Sequence, residues 1–296
     1  GLVGSEMCIR DRPDIILYSC SGYGRTGPHR ERPSYAEIVE AFDGSTSVNG
    51  YPGGGPNTVG VAPWTDGTQA MHGAFAILAA LYHRAKTGEG QYIDAAMIEG
   101  SANFLGELVM DYIMNRRIGE RIGNRDKIGA PHGCYHCQGE DEWVAIAVAS
   151  DEEWQAFCNV LGNPEWTRKK KFSDELSRWE NQDELDRHVE DWTRKHRKYE
   201  AMEILQNAGV TAGASLSVQG LAEDIHLKER EFFIETEHPV MGKLRLAGLP
   251  WRLSNAPKGN YHYAPLLGEH NDYVFGELLG LSREEIAQLV EEKVLH

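Results

Sequence analysis

The sequence contains no apolar stretch long enough to cross a membrane, because a run of about 18 or more consecutive apolar residues is absent from its 296 residues. Basic side chains are also scarce. Lys and Arg number 30 against 45 Asp and Glu, which gives a formal charge of −15. Nucleic acids and anionic membranes attract proteins with basic surfaces. The composition therefore excludes a general nucleic-acid or membrane binder.

Cysteine is rare as well. The five cysteines follow no regular framework, so we expect a reduced, cytoplasmic protein rather than a disulfide scaffold. Hydrophobic residues make up 41% and charged residues 25%, which is ordinary for a globular protein. The length of 296 residues exceeds the usual roughly 100–200 residues of one domain, so two domains are expected.

The segment 1–12 does not resemble the sequence that follows it. It has no apolar core behind a basic start, so it is not a signal peptide. It is similar to a translated sequencing-adapter artefact, and the alternative is a frayed native terminus. We expect the artefact and a chain that is a fragment of a longer gene product, and these residues are excluded from the fold prediction.

An alternation of strand and helix patterns follows. Ile15–Cys20 is a short apolar run that contains β-branched residues, as a buried parallel strand does. Gly67–Lys86 has the apolar periodicity of a long helix, and its apolar run Ala74–Tyr82 predicts a buried segment. Gln91–Met97 reads as a second strand, and a further helix is expected over Ile98–Met114. This order predicts an α/β fold.

The stretch Gly22–Gly27 has the form G-x-G-x-x-G and follows the first predicted strand. A dinucleotide site also requires a helix that begins at these glycines. Pro28 and Pro33 do not fit a helix interior, so a loop is predicted and NAD is rejected. Arg25 and Arg32 remain candidates for phosphate contacts in this loop.

A second motif, His132–Cys137, combines two histidines with Cys134 and Cys137. A structural zinc site needs four ligands in tetrahedral geometry, and these candidates are crowded into six residues. We interpret the segment as the approach to a strand at Trp143. A zinc-binding interaction module that uses Cys134 and Cys137 stays open as an alternative of a different class.

Four segments together carry a resemblance to a known family. They are Ser21–Pro28, Asp66 with the helix that leads into Leu81–Asp94, Ala130–Tyr135, and Ala264–Asn271. In this order they resemble the class III coenzyme A transferases of the CaiB/BaiF type, the family of formyl-CoA transferase, carnitine CoA-transferase and α-methylacyl-CoA racemase.

The resemblance implies an architecture. It consists of a Rossmann-like large domain, here without its N-terminal part, and a smaller α+β domain, on a ring-like chain that forms an interlocked homodimer. On this basis we expect the large α/β domain with the catalytic aspartate at 13–120, the small domain and linkers at 125–225, and a return segment with a C-terminal helix at 226–296.

The resemblance also implies a chemistry. Asp66 matches the family's nucleophile, which carries the acyl group as an anhydride and then CoA as an aspartyl thioester. The expected partners are an acyl-CoA, a small carboxylic acid and a second copy of the chain. Coenzyme A enters as a thioester substrate, and neither a permanently bound cofactor nor a metal is expected. At the start of a helix, however, an aspartate is also a good cap, so capping is an alternative role for Asp66.

Further site residues are expected around Asp66. Gly67 would let a bulky acyl group approach, and N–H groups of the loop Gly53–Gly55, Gly53 and Gly54 above all, would stabilise oxyanions. Tyr35 matches the position of an active-site histidine in racemase members, so a tyrosine there weakens the racemase interpretation. Tyr35 would instead line the CoA site together with Arg25 and Arg32. A 2-methylacyl-CoA racemase of the same family is the closest alternative function.

Overall fold

The computed structural model describes residues 11–57, 64–256, 259 and 261–295. The chain divides into two compact units, Gly1–Ser215 and Leu216–His296. Of the segment 1–12, which the fold prediction excludes, only Asp11 and Arg12 belong to the described residues. The expected domain bounds 13–120, 125–225 and 226–296 stay a prediction.

A two-stranded parallel sheet forms the first layer. Strand β1 (Ile16–Ser21) pairs with β2 (Gln91–Ala96), with Ile16 opposite Gln91 and Ser21 opposite Ala96. Parallel strands need a long crossover, and helices supply it here. The predicted alternation of strands and helices is confirmed, and the fold is mixed α/β. The helices of this layer are α1 (Ala36–Asp43), α2 (Ser45–Val48), α3 (Trp64–Thr87), α4 (Met97–Ala102) and α5 (Gly106–Asn115), with a 3-10 turn at Asn103–Leu105.

The long crossover helix α3 buries its small and polar side. Its buried residues include Gly73 and Ala80, whereas Phe75 is 75% exposed and Leu78 is 64% exposed. The prediction that Ala74–Tyr82 is a buried segment is therefore wrong for its large side chains. Small residues let the helix approach β1 closely, since a Cβ on Gly73 would lie 2.5 Å from the Tyr18 hydroxyl. The large apolar residues face away from that contact.

The second layer is a three-stranded antiparallel sheet of β3 (His132–His136), β4 (Trp143–Ala147) and β5 (Thr211–Ala214), in the order β3-β4-β5. It shares a continuous core with the helices that follow it. The core residues with the least exposure include Val144, Phe157, Phe172, Leu185 and Leu205. The helices are α6 (Asp151–Val160), α7 (Glu175–Glu180), α8 (Gln182–Thr193) and α9 (Lys198–Asn207), with 3-10 turns at Glu165–Arg168 and Lys170–Phe172.

The unit Leu216–His296 is built on an antiparallel hairpin. Strand β6 (Phe233–His238) pairs with β7 (Gly242–Ala247), with His238 opposite Gly242. Its first helices are α10 (Val218–Glu223) and α11 (Ile225–Glu229), and its last elements are a π-helical segment (Asp272–Leu278) and α12 (Arg283–Glu291). Ser282 and Glu285 cap α12 reciprocally, which satisfies backbone N–H groups at the start of this last helix.

Candidate active site

The start of α3 lies at the edge of the sheet where β1 and β2 end. Near the other end of α3, Arg84 Nη1 donates to the carbonyl of Asp14, which precedes β1, at 3.3 Å. Close to the helix start, Gln69 Nε2 donates to the hydroxyl of Tyr18 within β1, at 3.0 Å. The helix therefore runs antiparallel to the strands. In parallel α/β sheets, ligands bind at the carboxyl ends of the strands.

Asp66 is the third residue of α3 and its side chain is exposed. The first N–H groups of a helix have no intrahelical acceptor, and the dipole of the helix makes this end positive, which favours an ionised carboxylate. Within the described part of the chain, no hydrogen bond or ion pair engages the Asp66 carboxylate. An exposed and unengaged carboxylate can act as a nucleophile.

The alternative role of Asp66 as a helix cap is wrong. The helix begins at Trp64, so Asp66 lies inside the first turn rather than at the capping position before it. The indole of Trp64 packs edge-on against Phe104, with ring centroids 5.7 Å apart, and this contact holds the helix start. Among the described residues, a Cβ on the adjacent Gly67 would meet no atom within 4 Å, so they leave the surface beside Asp66 open.

The glycine loop after β1 is shaped by an aspartate of β2. Both carboxylate oxygens of Asp94 accept the backbone N–H of Arg25, at 3.0 and 3.1 Å, and Arg25 Nε donates to the Ser19 hydroxyl at 2.8 Å. The loop and the start of α4 line a cavity of about 350 Å³. The next helix begins only at Ala36, so the predicted loop is confirmed and the geometry of a dinucleotide site is not formed.

Tyr35 and Arg32 follow this loop. The backbone N–H of Arg32 donates to the carbonyl of His29 at 2.9 Å, and the Arg32 side chain is exposed. Tyr35 precedes α1, and its side chain is 76% exposed. Its neighbour Ser34 packs over Gly22, where a Cβ would lie 1.9 Å from the Ser34 hydroxyl oxygen. This contact brings Tyr35 to the same edge of the sheet as the start of α3. Its role at the CoA site stays a prediction.

The second glycine loop, residues 50–57, is held by its own turn and by a distant segment. Gly54 N–H donates to the carbonyl of Tyr51 at 3.0 Å, so this N–H group is already engaged. Within the described residues, the N–H groups of Gly53 and Gly55 have no acceptor. Gly54 is therefore removed from the candidate oxyanion donors, and the N–H groups of Gly53 and Gly55 remain.

A cavity of about 630 Å³ lies between Tyr51 and Pro52 of this loop and the second layer. One wall is an ion-paired network, in which Arg125 Nη2 bonds Asp183 at 2.5 Å and Asp186 at 2.8 Å. The buried hydroxyl of Tyr135 donates to Asp186 at 2.8 Å. Burial and the neighbouring Asp186 raise the pKa of Tyr135 well above its usual value, so this hydroxyl keeps its proton at neutral pH.

The two thiols of the motif His132–Cys137 do not converge. Cys134 lies on β3 opposite Ala145 and is exposed, whereas Cys137 is 1% exposed within the core. Burial raises the pKa of the Cys137 thiol to about 11, which disfavours the thiolate that a metal requires. Across the residues that the structure describes, no group of three or more His, Cys, Asp or Glu side chains is placed to hold a metal ion. This geometry gives the zinc-binding alternative no support.

Sequence patterns missed several residues that shape this region. Tyr18, Gln69 and Arg121 have no motif that marks them, and Arg121 lies in a stretch that reads as a basic linker. Asp94 is the last residue of the segment Leu81–Asp94, which carries the family resemblance. Its place in that segment could have marked Asp94 as a candidate site residue from the sequence alone.

Comparisons with known proteins decide the family. The model of CoA-transferase family III matches residues 3–271. The chain belongs to CoA-transferase family III. The β subunit of succinyl-CoA–L-malate CoA-transferase from Chloroflexus aurantiacus is 31% identical to this family III chain over 296 residues, which cover 99% of this chain and 73% of that protein. Formyl-CoA:oxalate CoA-transferase from Rhodopseudomonas palustris is 29% identical over 303 residues, with 96% of this chain and 71% of that protein covered.

The fold of this family III CoA-transferase agrees with a solved structure. A CaiB/BaiF family protein from Brucella suis superposes with a TM-score of 0.82 at 26% identity, and the match covers 92% of this chain and 70% of that one. The resemblance inferred from the four sequence segments is confirmed, as is the enzyme class that transfers coenzyme A to a carboxylic acid. None of the described helices is long and apolar enough to cross a membrane.

Proposed function

We propose that this family III CoA-transferase moves coenzyme A from an acyl-CoA donor to a carboxylic acid acceptor, with Asp66 as the covalent nucleophile. The observation that carries the proposal is the exposed and unengaged carboxylate of Asp66 in the first turn of α3, at the edge where β1 and β2 end. A carboxylate nucleophile splits a difficult exchange between two acids into easier steps.

In the first half of the reaction, an oxygen of Asp66 attacks the carbonyl carbon of the donor thioester. The carbon–sulfur bond breaks, and CoA leaves as its thiolate. The product on the enzyme is a mixed anhydride between Asp66 and the donor acid. The thiolate then attacks the Asp66 carbonyl carbon of this anhydride, so the donor acid leaves as a carboxylate and an aspartyl-CoA thioester remains.

In the second half, the acceptor carboxylate attacks the Asp66 carbonyl carbon of the thioester and expels CoA thiolate. This step forms a second anhydride. The thiolate attacks the acceptor carbonyl of that anhydride, which gives the new acyl-CoA and restores the Asp66 carboxylate. No net proton is gained or lost, because a carboxylate enters and a carboxylate leaves.

Each attack places negative charge on a carbonyl oxygen, and backbone N–H donors stabilise such charge strongly. We assign this role to the free N–H groups of Gly53 and Gly55. The open surface at Gly67 leaves room for the acyl group. Arg25 and Arg32 would contact the phosphates of CoA, and Tyr35 would line its path.

The substrates belong to the class of small carboxylic acids and their CoA thioesters. The named relatives use succinyl-CoA with L-malate and formyl-CoA with oxalate. Coenzyme A acts in this scheme as a substrate and not as a bound cofactor. A panel of acyl-CoA donors against mono-, di- and hydroxycarboxylic acids would identify the preferred pair.

We further propose an interlocked homodimer of ring-like chains in the cytoplasm, with a Rossmann-like large domain to which β1 and β2 belong. The exposed apolar face of α3 supports an assembly. Met71, Phe75, Leu78 and Tyr82 follow one side of this helix and are each more than 60% exposed. A contiguous exposed apolar surface usually marks an interface.

Chemical trapping tests the role of Asp66. After incubation with an acyl-CoA, the protein is treated with hydroxylamine or borohydride and its peptides are analysed by mass spectrometry. We expect the modification on Asp66. Asp66→Asn should abolish transfer with the melting temperature retained, since neither a cap nor a hydrogen bond is lost.

The matched control is Glu37→Gln, which neutralises an exposed carboxylate in the first turn of α1. This variant should transfer CoA as the wild type does. Substantial turnover by Asp66→Asn, or an adduct on a different carboxylate, would falsify the assignment.

A 2-methylacyl-CoA racemase is the second candidate, although Tyr35 in place of the family's histidine weakens it. A racemase needs acid/base groups on both sides of the α-carbon. It would exchange the α-proton of a 2-methylacyl-CoA with deuterated water and would form no aspartyl adduct. Deuterium incorporation without trapping at Asp66 would favour it over CoA transfer.

A further inference from the structure

Arg121 joins the glycine loop 50–57 to the helix that precedes it. Its Nη1 donates to the Gly54 carbonyl at 3.3 Å, and its Nη2 donates to the Thr46 carbonyl of α2 at 3.1 Å. The side chain is half-buried, and its Cδ would lie 3.2 Å from a Cβ on Gly50. One guanidinium group therefore links α2, at Thr46, to the tip of the loop, at Gly54.

The contact at Gly54 determines the direction of a neighbouring donor. In a planar trans peptide the C=O and the following N–H point in opposite directions. The Gly54 carbonyl points toward Arg121, so the N–H of Gly55 points away from Arg121. This N–H has no acceptor within the described residues. The arginine thus fixes the direction of the free Gly55 N–H, away from its own guanidinium group.

Residues next to Arg121 hold the rest of the loop. Gly123 N–H donates to the Gly50 carbonyl at 2.9 Å, and Asn124 Nδ2 donates to the Tyr51 hydroxyl at 3.1 Å. A Cβ on Gly123 would lie 2.8 Å from the Tyr51 ring, so the backbone and the ring are in close contact. The loop is therefore fixed by these long-range contacts together with its own turn from Tyr51 to Gly54.

The residue that precedes α2 and the first residue of α3 contact the same 3-10 turn, Asn103–Leu105. Leu105 Cδ1 lies 3.8 Å from the position of a Cβ on Gly44, which precedes α2. Phe104 of the same turn packs against Trp64, the first residue of α3. Arg121 therefore ties the tip of the glycine loop to α2, and the residue before α2 contacts the same 3-10 turn as the first residue of α3.

We propose that Arg121 is a positioning residue of the transfer reaction, which holds the Gly54 carbonyl so that the Gly55 N–H faces the oxyanion formed at Asp66. This inference rests on the proposed function, because it needs an oxyanion next to Asp66. Arg121 itself does not touch the substrate. Its loss should lower kcat and leave the KM for acyl-CoA little changed, since the donor acts on charge that develops only in the transition state.

The first experiment compares Arg121→Ala with Arg117→Ala. Arg117 is an exposed arginine of the same linker, with an ion pair to Asp111 at 3.8 Å, and it serves as the matched control. We expect kcat to fall about tenfold or more in Arg121→Ala, because small misplacements of catalytic groups cost up to about 100-fold. Hydrogen exchange of peptides from residues 49–57 should accelerate in Arg121→Ala and not in Arg117→Ala.

The second experiment removes the donor itself and covers the case in which Arg121→Ala fails to fold. Gly55→Pro deletes the N–H, whereas Gly55→Ala keeps it, and a Cβ at Gly55 would meet no atom of the described residues within 4 Å. We expect the kcat of Gly55→Pro to be at least about tenfold below that of Gly55→Ala.

Unchanged loop exchange or unchanged kcat in Arg121→Ala overturns the inference, and so does equal kcat in the two Gly55 variants. Failure of the proposed function has a different signature. In that case Asp66→Asn keeps its turnover and no adduct forms on Asp66, while the exchange measurement still reports whether Arg121 holds the loop.

Discussion

The side-chain amide of Gln69 donates a 3.0 Å hydrogen bond to the hydroxyl of Tyr18, and this bond ties the second turn of α3 to the middle of β1. The carbonyl oxygen of the same amide would lie 2.6 Å from a Cβ on Gly100 of α4. Gln69 is therefore packed between a strand and a helix. Asp66 lies one turn earlier, so its position follows from this contact.

Tyr18→Phe should lower the free energy of unfolding by about 1 kcal/mol, because it removes the acceptor and leaves the Gln69 amide without its partner. Denaturant titration measures the change. Tyr92→Phe, on the neighbouring strand β2, is the control, since no hydrogen bond of the Tyr92 hydroxyl occurs within the described residues. Equal midpoints for the two variants would contradict a stabilising role of the bond.

The apolar face of α3 should mediate self-association. Phe75→Ser and Leu78→Ser change side chains that are 75% and 64% exposed, so the fold should persist while the dimer weakens. Sedimentation at micromolar concentration measures the assembly. Leu176→Ser is the control, because Leu176 is 64% exposed on α7 of the second layer. A wild-type protein that sediments as a stable monomer would rule out this interface.

The cysteines should differ in their reaction with iodoacetamide. Cys20 and Cys134 are exposed, whereas burial raises the pKa of Cys137 and of Cys158 to about 11. Because the thiolate is the reactive form, we expect alkylation at pH 8 on the exposed pair and protection of the buried pair. Peptide mass spectrometry gives the result. Stoichiometric zinc in the purified protein, with Cys134 protected, would restore the zinc-binding alternative.

Asp126 should contribute a pH-dependent part of the stability. Its carboxylate accepts the N–H groups of Ile128 and Gly129 at 2.9 and 3.1 Å, and these hydrogen bonds lower its pKa. A lowered pKa in the folded state stabilises the fold above the ordinary pKa and loses that effect as the pH falls through the lowered value. Asp126→Ala should therefore be less stable than the wild type by about 1 kcal/mol at pH 7.

The stability difference between Asp126→Ala and the wild type should shrink below the ordinary pKa of aspartate and vanish in stronger acid. Thermal unfolding at a series of pH values measures it. Asp191→Ala, which removes an exposed carboxylate of α8, is measured in parallel as the control for the loss of one surface carboxylate. A difference that is constant from pH 7 down to strong acid would show that Asp126 acts through packing instead.

Local periodicity identified most elements of the first layer. The strand at Ile15–Cys20 and the helix at Gly67–Lys86 match β1 and α3 to within three residues at each end. It missed β3, because His132–His136 has no apolar alternation and is recognised as a strand only by its pairing with β4. It also misjudged which side of α3 is buried. The hydrophobic period marks an apolar face but does not say which neighbour covers it.

The amino-acid sequence by itself determined the α/β order, which depends on patterns within continuous segments. Through the resemblance of four segments to a known family, it also determined the family and implied Asp66 as the candidate nucleophile. Only the tertiary structure decided which donors and thiols are free. A hydrogen bond to Tyr51 engages the N–H of Gly54, and packing buries the thiol of Cys137. Arg121 likewise binds the carbonyl of Gly54, which lies 67 positions earlier in the chain. Such contacts are selected by the whole folded chain, because a polar group satisfies its hydrogen bonds with whichever partner the fold brings near.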